Sequence, residues 1–70
     1  MRISARNQWP GIVQSVKEGE VMTEVVVRLQ GGEVVTSAIT SASARRLGLV
    51  EGAAVLVLVK STEVMLAVED

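Results

Sequence analysis

The 70-residue chain has no cysteine and no histidine, which excludes disulfide frameworks and the usual zinc sites and removes the commonest general bases and thiol nucleophiles. Its formal net charge of −1, from seven basic and eight acidic residues spread along the sequence, speaks against non-specific binding to nucleic acid or to an anionic membrane. With 49 % hydrophobic residues in a chain short enough to hide only about 60 % of its unfolded surface, the expectation is one domain, residues 1–70, that self-associates. No apolar run approaches the roughly 20 residues of a membrane span, and Met1-Arg2-Ile3-Ser4 does not open a signal peptide, so a cytoplasmic location is expected.

In chain order, Arg2 to Ala5 and Ile12 to Lys17 read as two strand segments separated by a bend at Pro10-Gly11. Glu18-Gly19-Glu20 is a turn. Val21, Thr23, Val25, Val27 and Leu29 then share one face of a half-buried strand, with Val26 breaking the alternation. Gln30-Gly31-Gly32-Glu33 is a hairpin turn, and Val34 to Ile39 is its partner strand. Thr40 to Leu49 reads as one short helix, with Thr40 or Ser41 as N-cap, Arg45 and Arg46 in the last turn, and Gly48 as the left-handed stop. After a turn at Glu51-Gly52, Val55 to Val59 is continuously apolar, which in an antiparallel protein predicts burial on both faces and hence contact with another subunit. Val64 to Val68 is expected as the last strand. Five strands with one short helix between the third and fourth predict an all-β fold, a five-stranded OB-like barrel that oligomerises.

Enzyme templates find no purchase. No carboxylates stand out as a pair, and no glycine loop precedes a helix, so no catalytic residue is assigned. A single-strand nucleic-acid barrel needs aromatic stacking platforms, and this chain has one Trp with neither Tyr nor Phe. Three donor clusters remain: Ser4 with Arg6 and Asn7; Thr40, Ser41 and Ser43; and Lys60, Ser61 and Thr62. Each has a plain structural role open to it: a polar turn after a first strand, with Trp9 plugging a small core; helix capping; and turn chemistry with a solubilising lysine. The alternative is an anion seat, in which Ser4 and Arg6 point to one side of an extended segment and Lys60 is half desolvated beside the apolar strand. Charge-assisted hydrogen bonds of roughly 1.5–3 kcal/mol each would there support a micromolar complex, about −8 kcal/mol. The clusters hold donors and no carboxylate, which favours a fully deprotonated tetrahedral dianion over one that keeps a proton.

Ser4-Ala5-Arg6-Asn7-Gln8, the segment Thr40…Ser43…Arg46-Leu47-Gly48-Leu49 and Lys60-Ser61-Thr62-Glu63-Val64-Met65 together resemble the molbindins, small cytoplasmic molybdate-binding proteins built from the Mop (TOBE-type) domain. The resemblance covers essentially the whole chain and implies the free-standing form of that domain. It implies an OB-like barrel assembled as a hexamer, a trimer of dimers, that stores molybdate or tungstate between subunits and has no side chain coordinated directly to metal. Ser4, Arg6, Lys60 and Ser61 match the binding motifs, Thr40 and Ser43 match helix-start positions supplied by a neighbouring subunit, and Ala5 and Asn7 fall where main-chain contacts are made. The rival readings are a single-stranded nucleic-acid-binding module and an oligomerisation domain without ligand.

Overall fold

Alternation along the second strand decides where the core lies. In the computed structural model, which describes all residues from Met1 to Asp70, the strands are β1 (Asn7–Glu18), β2 (Met22–Leu29), β3 (Val34–Thr40) and β4 (Ala54–Val59). A helix, α1 (Ser41–Leu47), lies between β3 and β4, and a 3-10 turn (Ser61–Glu63) follows β4. The strands form one curled antiparallel sheet in the order β3-β2-β1-β4. Thr23, Val25 and Val27 point inward from β2, and Val25 and Val27 meet Val13 in a core ringed by Val16, Leu29, Leu49, Ala53, Val55 and Val57. Val21, expected on that face, lies instead in the β1–β2 turn, where it is exposed.

β1 is a single strand, so the bend expected at Pro10-Gly11 does not divide it. The ladder explains why proline is tolerated there. β1 pairs with β2 only from Gly11 onward and with β4 only from Asn7 to Ile12, so at Pro10 one side of the strand faces no neighbour and no N–H is missed. Gly11 is needed for another reason. A Cβ on it would lie 2.5 Å from Val27 Cγ1, so the bare backbone lets β1 close over the core.

One of the five expected strands, Val64 to Val68, is absent, as is the strand segment expected over Arg2 to Ala5, and the fold within one chain is a four-stranded open sheet. Residues 2–5 and 64–68 belong to no ladder. The last segment leaves the 3-10 turn with extended backbone at Val64 (φ −82°, ψ 123°), and Met65, Leu66 and Val68 are about nine-tenths exposed. Trp9 is also 42 % exposed and is not among the residues packed against the core, because β2 does not extend alongside β1 at that point. The accessible surface is 5782 Å², more than a third above the roughly 4200 Å² usual for a 7.4 kDa monomer. The radius of gyration is 13.0 Å against about 11 Å for a compact chain of this length.

Helix α1 follows its sequence signals closely. Thr40 is the N-cap, its hydroxyl accepting from the Ser43 N–H at 3.1 Å. Gly48 adopts φ 66°, its N–H bonding to the Arg45 carbonyl while that of Leu49 reaches the Ala44 carbonyl, the paired closure of a Schellman motif.

Candidate functional site

The antiparallel ladder between β1 and β4 runs from Ile12↔Ala54 to Asn7↔Val59. Beyond that last pair the two chain segments separate, and between them opens a cavity of about 450 Å³. Its lining comprises the cationic residues Arg6 and Lys60, the hydroxyl residues Ser4, Ser61 and Thr62, and the apolar residues Ile3, Ala5 and Leu58. No carboxylate lines it. The only ion pair of the molecule, Arg45 with Glu18 at 2.6 Å, lies at the other end of β1, so neither Arg6 nor Lys60 has an acidic partner. The 3-10 turn sets the geometry on the β4 side: the Glu63 N–H bonds to the Lys60 carbonyl at 2.8 Å, which folds Ser61 and Thr62 back towards the opening. Lys60 itself is exposed in the single chain, not half desolvated as expected, because the apolar strand before it leaves the cavity open on one side.

The two amides after Arg6 are already engaged. Asn7 Nδ2 donates to the Val59 carbonyl at 3.1 Å, and Gln8 Nε2 donates to the Ala5 carbonyl across the bend at Arg6. Asn7 therefore stands beside the cavity as a brace between strands, and it does not line the cavity. Thr62, read from the sequence as part of the third donor cluster, lines the cavity, whereas Ile3 and Leu58, which also line it, and Gln8, which braces the bend beside it, had no site role in the sequence reading. Gln8 carried a signal as the last residue of the Ser4-to-Gln8 motif; the apolar pair carried none.

Thr40 and Ser43 lie elsewhere. α1 docks at the far end of β1, tied by Arg45 to Glu18, so the length of a 12-residue strand, about 35 Å if straight, separates it from Asn7. Neither residue lines the Arg6–Lys60 cavity of its own chain. Thr40 Oγ1 donates to Ser43 Oγ at 2.8 Å while accepting from the Ser43 N–H, which leaves the hydroxyl proton of Ser43 unassigned and available. The start of the helix is fixed from below. Ser41 is fully buried and gives its proton to the Gly19 carbonyl at 2.7 Å, so Thr23, also fully buried, must donate to Ser41 Oγ at 2.7 Å.

Chemically the cavity offers hydrogen-bond donors and two positive charges to an anion. No group of three or more metal-ligating side chains exists in the protein. No helix is long and apolar enough to cross a membrane.

Residues 3–66 match the family model of the TOBE domain. The chain is 48 % identical over 66 residues, 94 % of its own length and 97 % of the relative's, to molybdenum-pterin-binding protein 2 of Clostridium pasteurianum. Its backbone is similar to that of MopII from the same organism, with a TM-score of 0.91 at 46 % identity, covering 96 % of this chain and 100 % of that one. It is likewise similar to ModG, described as a cytoplasmic molybdate-binding protein and solved with molybdate bound, with a TM-score of 0.84 at 44 % identity; there 87 % of this chain matches 43 % of the longer one. The four-stranded sheet, the capped helix and the match over nearly the full length agree: the chain belongs to the TOBE-domain family, in its Mop branch of molybdenum-binding proteins.

Proposed function

We propose that the protein is a single Mop-type domain that binds molybdate, or tungstate, at sites shared between subunits, and that it stores the anion in the cytoplasm without catalysing a reaction. The observation that carries this is the convergence of the two ends of the chain. Ser4, Arg6, Lys60 and Ser61 meet at one cavity with two cations, several hydroxyls free to donate, and no carboxylate to take up a ligand proton. Ala5 adds main-chain contacts. Such a shell suits a bare dianion, with each charge-assisted bond contributing about 1.5–3 kcal/mol. The names of the Clostridium relative and of ModG support molybdenum oxyanions as the ligand class.

Assembly follows from what one chain leaves open. A cavity of about 450 Å³ is far larger than one tetrahedral oxyanion, and Thr40 and Ser43 sit at the opposite pole with a free donor. A neighbouring chain would bring its helix start to the cavity. The apolar segment from Val64 to Val68 would add as a fifth strand to an open sheet edge, β3 or β4, of a second copy and complete the barrel between chains. Leu58, Ile12 and Pro10 form a second exposed apolar surface on the outer face of β1 and β4. Two distinct surfaces are what a trimer of dimers requires, and the hexamer is the assembly proposed.

Calorimetric titration with molybdate, sulfate and phosphate tests the reading. Saturable molybdate binding is expected, with sulfate weaker and monohydrogen phosphate weakest because its proton meets no carboxylate and takes the place of a donor contact. Lys60→Ala should lose most of the binding while remaining folded. Unchanged affinity in that variant would reject the site.

A further inference from the structure

We infer that Asn7 and Gln8 are positioning residues that fix the spacing of Arg6 and Lys60 and so set the size of oxyanion that the cavity accepts. The inference rests on the oxyanion reading of that cavity and deepens it. Arg6 and Lys60 are like charges lining one cavity with no carboxylate beside them, so no ion pair within the chain fixes either one. The segment that carries Ser4 and Arg6 belongs to no strand. Of the side-chain hydrogen bonds, only that from Gln8 to the Ala5 carbonyl reaches the first six residues. It spans the bend on which Arg6 sits. Asn7 holds the other side: its amide bonds to the carbonyl of Val59, the residue immediately before Lys60, at the last rung of the β1–β4 ladder. Each cation is therefore adjacent in sequence to one end of the Asn7 brace, and the Gln8 brace stops the first from swinging away.

A site held at fixed width discriminates between tetrahedral oxyanions by size, whereas a slack one adapts to each. Loosening the braces should weaken the better-fitting anion more than the smaller one. A merely structural defect behaves differently. A smaller fraction of competent protein reduces the apparent affinity for every anion by the same factor, so the ratio of affinities stays put.

The test is titration of the full chain and of Asn7→Ala, Gln8→Ala and Lys60→Ala with molybdate and with sulfate. Gln8 is exposed, so its replacement is expected to leave the fold intact, which keeps the test decisive if Asn7→Ala is unstable. The expected result is a loss of about tenfold in molybdate affinity for each brace variant, the low end of the effect of outer-shell partners at metal sites, with a smaller loss for sulfate. The molybdate-to-sulfate ratio then falls. An unchanged ratio in both brace variants, whether affinity is kept or lost equally for the two anions, overturns the inference while Lys60→Ala still loses binding. If Lys60→Ala binds like the unmodified protein, the reading of the cavity falls and the inference with it.

Discussion

Ser41 has one hydroxyl proton and gives it to the Gly19 carbonyl, so the order of donation in the buried Thr23–Ser41–Gly19 chain is fixed. Removing its middle member strands both neighbours. Ser41→Ala should cost about 1–3 kcal/mol, seen as a lower urea midpoint at unchanged slope. Thr23→Val should cost less, because Ser41 keeps its bond to Gly19; equal losses would contradict the assigned direction. Gly11→Ala forces a methyl to 2.5 Å from Val27 Cγ1 and should destabilise by about 1–3 kcal/mol in the same assay. At this scale the sequence was partly legible. That Thr40 or Ser41 caps the helix could be read from residue type, but which of the two faces the core could not, since the partners of Ser41 lie 18 and 22 residues away. The same holds for Asn7. An amide beside an arginine looks like a ligand donor until the strand it braces, 52 residues on, is in place.

Among the elements, those whose signals are local came through. The β2–β3 hairpin is closed by Gly32 at φ 95°, and α1 begins at Thr40 and stops at Gly48, because turn and cap chemistry depends on the residues themselves. Gly48→Ala places a side chain at φ 66° and should cost roughly 1–2 kcal/mol, measured by thermal melting. Elements that depend on a distant partner misled. Pro10-Gly11 looks like a bend when the strand is imagined paired on both sides, and becomes ordinary once the two ladders are seen to overlap only at Gly11 and Ile12. Val64 to Val68 has the composition of a strand, and composition carries no information on which chain supplies the edge. Replacing Met65 and Leu66 together by Lys should shift the protein to a smaller species in light scattering at micromolar concentration. An unchanged mass would remove the segment from the interface.

For the whole molecule, the numbers suit the protomer of the proposed assembly. Seven of 70 residues are buried, and the surface exceeds that of a typical monomer of this mass by more than a third. The cavity with Arg6 and Lys60 sits at one pole and Thr40 with Ser43 at the other, so on the proposed reading, in which all four residues hold one anion, a chain completes its site by borrowing. That is the central claim, and mixing defective chains tests it most directly. Lys60→Ala and the double variant Thr40→Ala/Ser43→Ala are each expected to bind little molybdate alone. Unfolded together and refolded as one mixture, they should recover about a quarter of the unmodified sites, the share of interfaces at which two intact halves meet by chance. If the mixture binds no more than its components, each chain holds the anion by itself and the shared site is wrong.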